Sequence, residues 1–371
     1  MNSSTSLPIS PARLHEALGR WRPDWPLTSA AWPWLVLAAM LLVLAACMMA
    51  ATCLGAMPTP LGETIMILAG AIGLTTPEPS AATAVVLHLR LPRVLLAAVV
   101  GAVLGLAGAA SQGLFRNPLA EPGLIGISSG SMLAVVLTVV LGGNALAGAW
   151  SGFFLAFAAF VGALLTAQLV QALSAARGGA STASLIMAGV AISAFSFAMV
   201  GIMFAFASDA QLRSITFWNL GSLGAASWAS LGMVAVPIGL ACAMMLRKSQ
   251  VLNALQLGDA EAAHLGIHVR AEKRAIILWI SLGVGAAVSL TGIIGFIGLV
   301  VPHLVRLSLG ANHRHVLPAS AIAGATLLVA ADLAARTLAA PAELPVGALT
   351  ALLGTPFFLW LLLKREVQSL S

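Results

Sequence analysis

From Trp34 to Met57 the chain runs for 24 residues without a charged side chain, and comparable runs recur almost to its end. Roughly 20 apolar residues in a helix, each rising about 1.5 Å, cross the hydrocarbon core of a bilayer. That ruler finds candidate spans near 33–57, 93–115, 125–142, 148–173, 184–206, 228–246, 275–293, 296–309, 316–334 and 346–363. The strict apolar–polar alternation of a membrane β-barrel is absent. The pattern predicts an all-α polytopic membrane protein. Composition closes off the alternatives, because charged residues are 8% of the chain and hydrophobic ones 60%. A water-soluble domain carries about 25% charged residues, so a soluble enzyme and a disordered tail are both excluded. The net charge of +6 is spread along the chain and forms no basic patch for nucleic acid.

The stretch 275–302 is long for one span and short for two, and the basic residues decide between these readings. With ten spans and both termini cytoplasmic, the 18 Lys and Arg residues divide 14 inside to 4 outside. Merging 275–309 into one span leaves at best 11 to 7. Cytoplasmic loops carry the excess of positive charge, so ten spans is the better expectation. Gly292, Gly295 and Gly298 then mark the break between spans seven and eight. Residues 1–32 read as a cytoplasmic arm and 33–371 as one ten-helix transmembrane domain. The first apolar run exceeds a signal-peptide core of roughly 7–15 residues and reads as a retained span. In span two, Gly101, Gly105 and Gly108 share a helix face and predict close helix packing.

Chemistry of its own is hard to find in this chain. No lysine follows a glycine, so there is no phosphate-cradling GxxxxGK[ST] loop. No HExxH, no metal-ligand spacing and no nucleophile–base pair stands out. Asp332 is the clearest acidic residue within a span, and Arg336 one turn later can neutralise it. The cytoplasmic loop 247–274 holds much of the charge. Within it, Gly258-Asp259-Ala260-Glu261-Ala-Ala-His-Leu265-Gly266 predicts a short helix, with Asp259 as its N-cap and Gly266 as a left-handed stop. A capped helix projecting from a transporter reads as a lever for a soluble partner or as a solvated connector.

Five ordered segments carry a family resemblance. They are Arg90-Leu-Pro-Arg93, Gln112 with Arg116-Asn117-Pro118-Leu-Ala-Glu121-Pro-Gly123, the loop at 257–266, Gly295-Phe-Ile-Gly-Leu-Val-Val-Pro302-His303 with Arg306, and Glu343-Leu-Pro-Val-Gly347-Ala-Leu-Thr350. Over roughly residues 33–363 the chain resembles the FecCD-like permease subunits of type II ABC importers, which carry ferric siderophores, haem and vitamin B12. The resemblance implies a homodimer of ten-helix subunits in the bacterial inner membrane. Its implied partners are two ATP-binding subunits, which use ATP and Mg, and a periplasmic binding protein. This chain would bind no cofactor or metal of its own.

Site residues follow from the resemblance by position. Arg90, Arg93 and Arg336 are expected to dock acidic residues of the binding protein. Gly258, Asp259, Ala260, Glu261, Leu265 and Gly266 are expected to form the ATPase-coupling element. Met187, Ser193, Ser196 and Met203, with Asn117 and Pro118, are the expected path residues. His303 reads as a structural hydrogen-bonding residue. The segment Glu121-Pro-Gly-Leu-Ile-Gly126-Ile-Ser-Ser-Gly130 is similar to haem permeases and points to haem, with ferric siderophore or vitamin B12 as alternative cargo. An ion-gradient carrier, or an assembly subunit without a path, stands as the rival from another class.

Overall fold

Inside lipid the backbone has no water to bond, so each span must close its own hydrogen-bond ladder. The computed structural model describes residues 31–55, 57–74, 80–142, 151–176 and 182–369, and every regular element among them is helical. Seven helices are long and apolar enough to cross a membrane. They are α1 (Trp32–Cys53), α3 (Ala81–Phe115), α5 (Ser151–Ala176), α6 (Thr182–Phe204), α8 (Trp228–Arg247), α11 (Val269–Thr291) and α13 (His313–Thr337). Two further predicted spans coincide with the shorter apolar helices α4 (Ile127–Gly142) and α12 (Ile297–Leu309), and the last with α14 (Val346–Ser369), whose apolar part is Val346–Leu359. The remaining elements are α2 (Leu61–Ala71), a short 3-10 helix (Pro122–Ile125) before α4, α7 (Asp209–Asn219), α9 (Ser249–Leu257) and α10 (Asp259–His264). The N-terminal arm lies almost wholly outside the described residues.

Several boundaries differ from the sequence expectation, among them the start of α11 at Val269 rather than 275 and the end of α14 at Ser369 rather than 363. Span one ends at Cys53 rather than 57, where Leu54 turns extended. The second span begins at Ala81, not 93, as one helix with a wide turn over Val85–Arg90. Pro92 does not delay it, because proline is tolerated where the ladder is already loosened. Arg90 and Arg93 therefore lie more than two turns inside a helix instead of at its entrance.

Helix α3 is the centre of the bundle, with 78% of its apolar window buried against 22% for α5 and α6. Lipid tails are as apolar as leucine, so what draws helices together is close contact through small residues. A Cβ at Gly101 or Gly105 would strike the backbone of Gly324 or Ser320 on α13, and one at Gly108 would strike Gly298 on α12. The predicted glycine face is thus the seam on which α3 meets two neighbours.

The predicted break between spans seven and eight is present. Gly292 has φ +68°, a conformation that favours glycine. Its neighbour Thr291 offers its carbonyl to the Ser222 amide at 2.8 Å. The irregular backbone is therefore satisfied by the α7–α8 connection rather than by lipid.

Candidate functional site

At one end of the bundle, loop 247–274 is not loose chain but the helices α9 and α10 followed by the first turn of α11. Gly258 joins α9 to α10 with φ +123° and ψ 158°, a region almost closed to residues with a Cβ. Gly266, at φ +83°, ends α10 as predicted. Asp259 is not the N-cap: Gly258 holds that position, and the Asp259 carboxylate instead meets Lys273 Nζ at 2.5 Å and Arg116 at 3.8 Å. Lys273 is almost fully buried, so the carboxylate answers a buried ammonium whose ion-pair partner among the described residues is Asp259.

This element is bolted to the bundle. Gln256 Nε2 donates to the Gly113 carbonyl of α3 at 2.9 Å. Asn253 accepts from the His313 amide at 2.8 Å, and its amide reaches Asn312 at 2.9 Å, at the start of α13. Lys248 pairs with Glu272 at 2.7 Å. Facing outward, Leu257 and Leu265 are 66% and 64% exposed. An apolar tip on a rigid, hydrogen-bonded base can receive a push from a partner and pass it to α3 and α13.

Deeper in the bundle a cavity of about 570 Å³ lies between the loop before α4, α6 and the α11–α12 break. Glu121, Ser129, Ser193, Phe197 and Phe296 line it, and Ser129 and Ser193 share a hydrogen bond of 3.0 Å. Burial pushes the Glu121 carboxyl above the usual carboxylate range. Gln112 of α3 braces one side. It donates to the Leu299 carbonyl at 3.1 Å and accepts from Arg306.

At the other end, Arg90, Arg93, Arg336 and Glu343 line a second cavity of about 470 Å³. Arg93 grips Glu343 through both terminal nitrogens at 3.0 Å and Asp332 through Nε at 3.0 Å. Arg336 Nε meets Asp332 at 3.1 Å and its Nη2 donates to the Ala51 carbonyl at 2.9 Å. Arg90, only 5% exposed, donates to the carbonyls of Thr52, Cys53 and Met57 and to Thr59 Oγ1. The three guanidiniums thus tie α1, α3 and α13 together, and Arg93 presents the most accessible fork.

The structure brings some predicted residues together and separates others. The six coupling residues form one projection, and the three arginines line one cavity. Of the four path residues on α6, Ser193 lines the larger cavity. Ser196 is buried, Met187 is 65% exposed, and Met203 packs near Met132, Val136 and Val200. Asn117 accepts from the Leu119 amide at 2.9 Å and so shapes its own loop, as does the adjacent Pro118. Sequence reasoning missed Ser129, Phe197 and Phe296 as cavity walls. Only the unusual φ of +68° at Phe296 singles it out, and no sequence pattern reveals that.

The profile of the FecCD transport family matches residues 41–364. The hemin transport system permease protein of Yersinia pestis is 48% identical over 282 residues, 76% of this chain and 84% of that one. The vitamin B12 import system permease protein of Vibrio cholerae is 43% identical over 281 residues, 75% of this chain and 82% of that one. Among solved structures, a metal-chelate type ABC transporter in an inward-facing conformation superposes with a TM-score of 0.77. It is 32% identical and covers 89% of this chain and 99% of the other.

Proposed function

The chain belongs to the FecCD transport family, and from that premise we propose that it is the membrane subunit of an ATP-driven importer whose cargo is haem. The observation that carries the cargo is the 48% identity to a hemin permease over most of both chains, against 43% and 38% for vitamin B12 and cobalamin permeases. The subunit works as a homodimer of ten-span chains in the bacterial inner membrane, with both termini in the cytoplasm. Two partner subunits bind and hydrolyse ATP with Mg, and this chain transports without being an enzyme.

The mechanism follows from the bracing. Closure of the two ATPases presses on Leu257, Leu265 and the rest of 258–266. Gln256 and Asn253 pass that displacement to Gly113 on α3 and to the start of α13, the two helices that meet at the Gly101–Gly324 seam. A shift of one packed helix along another re-forms the cavity beside Ser193 and exposes it alternately to each side. At the opposite end, the periplasmic binding protein presents carboxylates to the cavity lined by Arg90, Arg93 and Arg336. Arg93 is the first contact: an incoming carboxylate takes the place of the half-exposed Glu343 in the planar fork that now holds it at two points.

Expression in a strain lacking its own haem permease tests the cargo. Growth on haem as sole iron source should be restored, and excess vitamin B12 should not compete with haem uptake. Uptake of vitamin B12 with no uptake of haem would overturn the cargo while leaving the family intact.

A further inference from the structure

Between the C-terminal end of α5 and the N-terminal end of α11 lies a cavity of about 380 Å³ that plays no part in the lever, the arginine cluster or the path. Gln168, Gln171, Ala172, Arg274, Ala275 and Leu278 line it. Its polar side chains are rich in donors, with the five N–H groups of a guanidinium and two carboxamides, and no carboxylate lines it among the described residues. Gln171 is only 8% exposed, and its Nε2 has no hydrogen-bond partner among the described residues. A buried amide left unpaired is costly and calls for a missing acceptor. Arg274 stands apart from the ion pairs that occupy its basic neighbours Lys248, Lys273 and Arg116. Arg270, one turn earlier on the same helix, is exposed as well and adds to the positive field.

The surroundings of the cavity narrow the occupant. Leu169 and Leu173 on α5 and Leu278 on α11 are 48%, 45% and 41% exposed. Leu278 lines the recess itself, and Leu169 and Leu173 follow Gln168 and Ala172 along α5, giving apolar surface beside the donors that a small anion could not use. A molecule with an anionic, oxygen-rich head and hydrocarbon tails fits both features at once. Basic recesses between membrane helices on the cytoplasmic side are suited to anionic headgroups.

We propose that this recess holds the headgroup phosphate of an anionic phospholipid, with Arg274 and Gln171 as its donors and its acyl chains along Leu169, Leu173 and Leu278. Arg274 supplies paired N–H groups to two phosphate oxygens, and the Gln171 amide gains the acceptor it lacks. The lipid then links α5 to α11 at Arg274, the residue next in sequence to Lys273, which holds Asp259 of the lever. Its placement in the inner leaflet rests on both termini being cytoplasmic, whereas the binding itself does not depend on orientation or cargo.

Native mass spectrometry of the permease–ATPase complex tests this. The complex is titrated with phosphatidylglycerol or phosphatidylcholine of identical acyl chains, and separately with phosphatidylglycerol in the presence of inorganic phosphate. Phosphatidylglycerol should bind more tightly than phosphatidylcholine. Arg274→Gln should weaken that binding about fivefold, the worth of one basic residue near an anionic headgroup. Gln171→Met, matched in volume, should weaken it in the same direction, while Arg247→Gln, a charge-matched change outside the recess, should not. Equal binding of the two lipids would overturn the proposal, as would identical behaviour of Arg274→Gln and Arg247→Gln. Displacement of the lipid by equimolar inorganic phosphate would show a site for free anions and overturn it too.

Discussion

Asp332 is the most exacting place to test how this bundle is held together. Its side chain is 1% exposed and lies between Arg93 and Arg336, themselves 12% and 8% exposed, at 2.9 and 3.1 Å. Asp332→Asn keeps the shape and deletes the charge. Arg93 then retains Glu343, but Arg336 is left with the Ala51 carbonyl and no carboxylate. Removing one partner of a buried pair costs about 3–5 kcal/mol because the other charge stays desolvated. The lower end applies here, since half of the cluster keeps its counter-charge. About 3 kcal/mol corresponds to a fall in Tm of about 4 °C for a chain of this length. Thermal unfolding in detergent, followed by size-exclusion fluorescence, reads this directly. Adding Arg336→Met to Asp332→Asn should recover more than half of the loss, because the stranded cation is gone. A single variant within about 2 °C of the parent, or a double variant worse than the single, would refute the buried-charge reasoning.

The helix seam gives a second expectation. Gly108→Val should abolish folded protein by size exclusion, because its side chain must enter backbone on α12, whereas Gly152→Ala, which meets no neighbour among the described residues, should be silent. At the lever, Leu265→Ala with Leu257→Ala should leave ATP hydrolysis by the assembled complex measurable but reduce coupled uptake severalfold; undiminished uptake would remove the apolar tip from the mechanism. Gly258→Ala should destabilise by about 1–3 kcal/mol, the cost of forcing a Cβ into that backbone region, read as a lower Tm. Glu121 carries a pH signature. Its folded pKa is raised by burial, so the stability it supports below the unfolded value is lost as pH rises through the folded one. Tm measured between about pH 4 and 8 should therefore fall less steeply in Glu121→Gln than in the parent.

Much of this architecture is legible in the chain, for a physical reason. Apolar length is dictated by the thickness of hydrocarbon, so the positions of α1, α3 to α6, α8 and α11 to α14 follow from a single ruler. The glycine seam of α3 is legible because small residues at helical spacing have one dominant use in lipid. What the ruler misses is α2, only 11 residues long and too short to register as a span. Contacts distant in sequence are also silent. The i,i+4 pairing of Asp332 with Arg336 could be seen, but Arg93 reaches Asp332 across 239 positions and holds Glu343 across 250. Asp259 reads as a cap by residue type, yet a buried Lys273 outbids the helix terminus for its carboxylate. The face of α6 that meets the cavity was likewise hidden, since that helix is apolar all round and nothing in its periodicity distinguishes Ser193 from Ser196.

The central claim is that this chain supplies a movable passage while energy comes from another subunit. Proteoliposomes holding the permease with its ATPase, supplied with haem-loaded binding protein, test it most directly. Haem should enter only when ATP, the ATPase and the binding protein are all present. Haem accumulation driven by an ion gradient with the ATPase omitted would contradict the account.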